Sequence, residues 1–493
     1  MKELQNLVKS LSSKEKRMIS DYLKAYPKTK EVPKILDFFK RISAFSKNEK
    51  KSNFSVNSLL FKENSSGRFR TMKTRLKHKI YESLCNDNHI LRHPGLDENI
   101  KQSIRLRKKL VQFIVLYNLK GKSEIALNLL DFVIRKAKGY ELYPLQVDAL
   151  MHKIGLLDYS KDKKEQKEYY ALSKELTNSI RSLSVQTDVY NAFNKLRIYH
   201  AEGKPTRFIT HYLYHSTRHL EKMVKDSHSG LSLYFFYLMK INYFENIKKY
   251  TQAANYCNKL TELVKNTPSV YRKNRLASAY WNSSAIYIYA GKYDLAIEHA
   301  KKALLLFPAH SVNSLKAMEF IFYAAFYSQK YKTAYKYLLA LQHSKVPIDE
   351  FEQSKYIFWG ICLQFTKGNY ASALKQLLQK QIISRDKMGW DWQSRILQIQ
   401  CFIELHKLEE AENAIQTLRQ YIWRNDLLNE NVSKRQKHIY FLLQKLAKNG
   451  FQYKHIKPPL NKHLLLITKR NAWEPLGAEL IPFDVWLKKK LKR

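Results

Sequence analysis

An all-α fold built of stacked helical hairpins is what this sequence predicts, and three observations predict it. Among 493 residues there are only 13 Gly and 12 Pro, too few for the many turns of an all-β protein or for a Gly-rich nucleotide fold. Apolar residues recur with a period near 3.6 along most of the chain, and Pro and Gly fall mainly between the periodic segments. One small residue also returns at a nearly constant interval: Ala253, Ala296, Ala334, Ala373 and Ala411 are separated by 43, 38, 39 and 38 residues. A hydrophobic fraction of 45% and an aromatic fraction of 13% supply a core and exclude bulk disorder.

Residues 1–95 read as a helical domain of their own. Ser12-Ser13-Lys14-Glu15 has the form of a capping box, with Ser12 capping a helix and Glu15 reaching back. Met18, Ile19, Tyr22 and Leu23 form the apolar face of that helix, which ends near Pro27. Pro33 suits the first turn of a second helix, with Ile35, Leu36, Phe38, Phe39 and Ile42 inward. A third helix is expected from about Arg68 to Leu84, with Phe69, Met72, Leu76, Ile80 and Leu84 as its stripe.

Residues 100–430 carry the repeats. The clearest unit runs Tyr280-Trp281-Asn282-Ser283-Ser284-Ala285-Ile286-Tyr287, then Gly291-Lys292-Tyr293-Asp294-Leu295-Ala296, then Ala303 and Pro308. Ser284 and Ala296 are small where two antiparallel helices touch, Tyr287 and Tyr293 fill the space beside them, Gly291 turns the chain and Pro308 stops the second helix. Weaker copies lead to Ala126, Ala253, Ala334, Ala373 and Ala411. Three further steps fit between Ala126 and Ala253, with Gly203-Lys204-Pro205 marking one hidden turn and Phe208 in the alanine slot. The spacing predicts about eight hairpins. Residues 431–493 break phase at Pro458-Pro459 and Pro475. There Leu464 to Thr468 is expected as a short strand or buried turn, and Lys488 to Arg493 as a flexible tail after Val485-Trp486-Leu487.

The unit at 276–308 resembles a tetratricopeptide repeat (TPR), and the opening Leu11 to Arg17 ahead of helical repeats is similar to uncharacterised bacterial TPR-containing proteins. The resemblance implies a right-handed superhelical solenoid of TPR-like hairpins, with a basic N-terminal helical domain before it and an irregular basic C-terminal cap after it. It also implies a concave groove that holds a protein or peptide. Some members clamp a partner's C-terminal carboxylate. Asn242, Asn282 and Lys316 fall at three of the five clamp positions, while Leu238 and Phe320 replace the other two cations.

Charge is the outlier of the composition. There are 87 Lys and Arg against 43 Asp and Glu, a net +44 that attracts polyanions. The two ends are denser in it than the middle: residues 1–95 hold 22 basic and 9 acidic side chains, and residues 432–493 hold 15 and 3. The candidate nucleic-acid-binding residues are Arg68, Arg70, Lys73, Arg75, Lys77 and Lys79 on the third helix, and Lys488, Lys489, Lys490, Lys492 and Arg493 at the end. The first set is also compatible with a helix-turn-helix-like domain.

Enzymatic signatures are missing. Gly121-Lys122-Ser123 resembles a phosphate-loop ending, but Leu116 stands where the loop needs Gly. Cys85, Cys257, Cys362 and Cys401 form no CxxC pair and are expected as lone thiols in a reducing compartment. His211, His215 and His219 share a helix face without a clear ligand set, so no metal and no cofactor is expected. No apolar run resembles a signal peptide or a membrane span, and a cytoplasmic protein is expected. The reading is a non-enzymatic scaffold with a protein in its groove and nucleic acid or ribonucleoprotein at its basic ends. The alternatives are a pure adaptor for an acidic partner and a DNA-binding regulator using residues 1–95.

Overall fold

The computed structural model describes residues 2–25, 32–45, 66–85, 93, 95–121, 123–158, 162–227, 229–379, 389–424, 434–453, 462–469 and 471–491. Among them are 22 α-helices and no strand. The chain divides into two compact units, Met1–Ala137 and Lys138–Arg493.

The first unit holds α1 (Lys2–Ser10), α2 (Ser13–Ala25), α3 (Val32–Phe45), α4 (Ser66–Leu84), α5 (Glu98–Lys120) and most of α6 (Glu124–Gly139). The capping box is made: the Ser12 amide donates to Glu15 Oε2 at 2.7 Å, and the Glu15 amide donates to Ser12 Oγ at 3.2 Å. Leu4, Val8, Ile19, Leu23, Phe38, Phe39, Ile42, Leu76 and Ile80 meet in one core, so α1 to α4 are stitched together by their apolar stripes. Of the expected inward residues of α2 to α4, Ile35 also lies in this core, and Met18, Leu36, Met72 and Leu84 pack against it. Helix α1, which no capping or breaking signal announces, adds Leu4 and Val8. The side chains of Arg68 and Phe69 lie outside the described residues.

The second unit begins with α7 (Tyr143–Gly155), α8 (Lys163–Ala201) and α9 (Thr206–Ser227). Five hairpins of an A and a B helix follow: α10 (Gly230–Asn246) with α11 (Tyr250–Asn266), α12 (Lys273–Tyr289) with α13 (Tyr293–Leu306), α14 (Val312–Tyr327) with α15 (Tyr331–Gln342), α16 (Glu350–Thr366) with α17 (Tyr370–Gln379), and α18 (Trp390–Glu404) with α19 (Leu408–Arg424). The unit closes with α20 (Lys434–Lys448), α21 (Lys462–Thr468) and α22 (Phe483–Leu491). Each helix of the hairpins packs on its chain neighbours, and α12 and α16 also reach the next A helix. That nearest-neighbour pattern is a solenoid.

The repeat is built as its residues require. Ala253, Ala296, Ala334, Ala373 and Ala411 are each the fourth residue of a B helix and each fully buried. Ser284 Oγ donates to the Ala296 carbonyl at 2.9 Å, so the two helices meet where both side chains are small. Every A helix ends in the same turn. The residue two before the B helix has positive φ, and the next amide donates five residues back, as Lys292 does to the Tyr287 carbonyl at 2.8 Å. Gly291 (φ 71°) and Gly368 (φ 82°) take this conformation freely, but Lys248, Gln329 and His406 take it at φ 58°, 60° and 57°. A side chain there costs about 1–2 kcal/mol. These are TPR-like hairpins, and the chain is a TPR-like helical-repeat protein.

Two expectations are corrected, while Gly203 does turn the chain, at φ 64°. Phe208 is exposed and Ile209 is buried, so Phe208 does not fill an alanine slot. Leu464 to Thr468 is helical, with Leu464 and Ile467 buried. Ahead of the hairpins, the Glu141 carboxylate accepts from Ser229 Oγ (2.8 Å), the Gly230 amide (2.9 Å) and Ser269 Oγ (2.8 Å), and so caps α10 from outside the helix.

Candidate functional site

Helix α4 turns Leu76 and Ile80 inward, which forces its polar face outward. The exposed stripe reads Arg70, Thr71, Thr74, Arg75, His78 and Tyr81. Lys77 Nζ is paired with Glu3 at 2.6 Å, and Lys79 Nζ with Glu82 at 2.8 Å. The lysine contacts hold both carboxyls below the ordinary carboxylate range. Lys77 and Lys79 are thus committed to intramolecular partners, and Arg70 and Arg75 lie on the exposed stripe.

The other basic end differs from its expectation. Lys488 to Lys490 belong to α22, which is docked by buried Phe483, Trp486 and Leu487. Glu404, at the end of A helix α18, accepts from Trp486 Nε1 at 2.7 Å and from Lys490 Nζ at 2.6 Å. Apolar spacing at 483, 486 and 487 wins over like-charge repulsion among three lysines because the turn of helix points Lys490 at a carboxylate. Lys488 and Lys489 remain exposed, and Lys492 and Arg493 lie outside the described residues.

The segment before α22 is pinned to the hairpins. Lys248 is ion-paired with Glu474. Tyr327 Oη accepts from the Leu476 amide at 3.2 Å, and its ring meets Trp473 edge-on with centroids 4.9 Å apart. Arg435 is the residue that sequence reasoning missed. Buried in α20, it donates to both oxygens of Glu479 at 2.7 Å, to Asp484 at 2.6 Å and to the Ile467 carbonyl at 2.8 Å. The only signal was the scarcity of acids: residues 432–493 contain Glu474, Glu479 and Asp484 alone, and all three hold cations of the same unit.

The three partner-groove residues lie on successive A helices. Asn242 Nδ2 donates to the Leu238 carbonyl of its own helix at 2.9 Å, and Asn282 is half-buried. Lys316 reaches Glu352 at 2.8 Å and Glu319 at 3.2 Å, and Glu319 also accepts from Lys355 (2.8 Å) and Tyr356 Oη (2.7 Å). Burial opposes the Lys316 charge, but Glu352 and Glu319 hold its pKa above the ordinary lysine value. For Lys355 burial prevails over Glu319 and lowers the pKa. Phe320 stacks on Trp281, centroids 5.2 Å apart.

The His211 and His215 rings pack with centroids 4.3 Å apart, and all three histidines of that face are exposed. Among the described residues no group of three His, Cys, Asp or Glu side chains is placed to hold a metal ion. Burial pushes the Cys257 and Cys401 thiols up to about 12, so neither is a thiolate nucleophile at neutral pH. No described helix is long and apolar enough to cross a membrane.

No family model matches the chain, and no curated protein matches it. Among solved structures it is similar to a Signal Transduction ATPase with Numerous Domains protein with a tetratricopeptide repeat sensor, from Pyrococcus horikoshii, at 13% identity and a TM-score of 0.39. The match covers 90% of this chain and 66% of that one, so the chain spans just under two thirds of that protein's length.

Proposed function

We propose that this protein is a non-enzymatic adaptor. Its TPR-like hairpins hold a protein partner, and its basic N-terminal unit docks on nucleic acid or a ribonucleoprotein. The observation that carries the docking half is the exposed stripe of α4, where Arg70, Arg75, His78 and Tyr81 share a face with no carboxylate before Glu82. The surrounding unit has the charge to support it: residues 1–137 contain 31 Lys and Arg against 13 Asp and Glu. Contacts of this kind are made to phosphates, so they are tight at low salt and weakly selective for sequence. The partner half concerns the Asn242–Asn282 end of the A-helix face, because Lys316 is already committed to Glu319 and Glu352. A TPR-like fold suits such a scaffold role, with an extended surface in place of a deep catalytic pocket.

The experiment is a salt titration of the nucleic-acid-free protein against labelled single-stranded RNA and duplex DNA by fluorescence anisotropy. Binding that persists at physiological salt with a steep log–log slope is expected, and Arg70→Glu with Arg75→Glu should weaken it about tenfold or more. No binding at physiological salt would refute the docking half and leave a pure protein adaptor.

A further inference from the structure

A cleft of about 580 Å³ opens at the turn edge of the solenoid, between the first two of the five hairpins. That volume lies within the roughly 300–1,000 Å³ range of small-ligand sites. Lys248 and Lys249 enter it from the α10–α11 turn and Lys292 from the α12–α13 turn. One wall contains Tyr250 and Tyr289, stacked with centroids 5.3 Å apart and planes 6° from parallel, and Asn255 adds an exposed amide.

The lysines stand against local preference. Lys249 and Lys292 occupy the N-cap positions of α11 and α13, where an acceptor side chain is favoured and a cation faces the positive end of the helix dipole. The same chain caps α8, α10, α14 and α16 with Asp162, Ser229, Ser311 and Asp349, each accepting a backbone hydrogen bond. Lys330 repeats the pattern one hairpin on, but is tied to Asp294. Lys249 and Lys292 make no ion pair among the described residues, and both are exposed. Three cations from two repeats, two of them uncompensated, beside a flat aromatic wall match a ligand with an anionic end and a planar ring.

We infer that this cleft binds a phosphorylated nucleoside, its phosphate on Lys249 and Lys292 and its base against Tyr250. The ligand has two sources, a free nucleotide or one residue of a single strand. The second deepens the docking reading above and rests on it, whereas the first does not. Stacking on an aromatic wall is available to an unpaired base and not to a base inside a duplex.

The test uses the full chain, freed of nucleic acid. Calorimetric titration with adenosine 5′-monophosphate, adenosine and inorganic phosphate is paired with anisotropy on a labelled ten-nucleotide single strand and its duplex. The expected result is that the monophosphate binds at least tenfold tighter than adenosine or phosphate. Lys249→Glu with Lys292→Glu should lose tenfold or more, and Tyr250→Leu about fivefold or more with an unchanged salt slope. A strand that binds at least tenfold tighter than the monophosphate, and displaces it, makes the ligand a single strand; equal affinities make it a free nucleotide. Variants at 249, 292 and 250 that bind every probe like the parent overturn the cleft. If Arg70→Glu with Arg75→Glu alone then abolishes strand binding, the docking reading survives without it. A parent chain that binds neither probe overturns both.

Discussion

The two basic ends of this protein are written in similar letters and end in opposite situations. Helix α4 carries six cations and keeps Arg70 and Arg75 on an exposed stripe. Helix α22 carries three consecutive lysines, yet it is a structural element: Phe483 and Leu487 are fully buried and Lys490 is half-buried against Glu404. The difference is what lies opposite. Around α22 the hairpins and α20 present Glu404, Arg435 and Lys248 at the places where the C-terminal segment needs a partner. Around α4, Glu3 and Glu82 meet Lys77 and Lys79, and Glu82 also accepts from Tyr22 Oη, while Arg70 and Arg75 keep exposed positions. Charge density along a sequence therefore says little about surface charge until the opposing groups are known.

The comparison can be broken by four measurements. Arg435→Met should have the largest effect, about 3–5 kcal/mol, because it strands the half-buried Glu479 and leaves the buried Asp484 only its longer contact with Lys488. A calorimetric transition that does not move would show that α22 is not held by this residue. Leu487→Ala should follow at about 2–5 kcal/mol from the lost apolar contact, read in the same transition. Lys490→Gln should cost about 1–3 kcal/mol, since Glu404 keeps only its bond from Trp486. On the other end, Arg70→Glu with Arg75→Glu should change stability by no more than about 0.5 kcal/mol while lowering polyanion affinity, which would separate a working surface from a structural one. A stability loss as large as that of Leu487→Ala would erase the contrast.

The smallest effect concerns pH. His438 and His463 approach with their Nδ1 atoms 3.0 Å apart. Burial first, then neighbouring lysines, and for His463 also His438, hold both below the ordinary histidine pKa of 6.5. The unfolded chain then binds more protons than the folded one as pH falls past 6.5, so this contribution is complete above that pH and is lost on acidification below it. His463→Gln should flatten the stability profile between pH 7 and 5. An unchanged profile would mean the pair is not linked to the docking of α20 and α21.

Much of the fold was legible because its signals are local. Ser12 and Glu15 make the capping box their spacing implies, and Ala296 and Ser284 touch as two small residues on facing helices should. What escaped has an equally physical reason. Only two of the five hairpin turns use Gly; Lys248, Gln329 and His406 accept positive φ at a cost repaid by packing elsewhere, so the turn signature fades while the alanine beneath it stays. Helix α8 lacks a Pro or Gly from 163 to 201, and a period of 3.6 cannot distinguish one long helix from two short ones. Of the candidate site, the cations of α4 were legible as residue types. The cleft at Lys249 and Lys292 was not, because it joins two turns 43 residues apart.

By itself the sequence determined the helical class, the hairpin phase and the net +44, since these depend on periodicity, residue size and composition. Only the tertiary structure decided which cations are partnered, where Arg435 gathers the C-terminal acids, and that Leu464 to Thr468 and Lys488 to Lys490 are helical. Those outcomes depend on groups far apart in the chain, whose approach and desolvation no local pattern encodes.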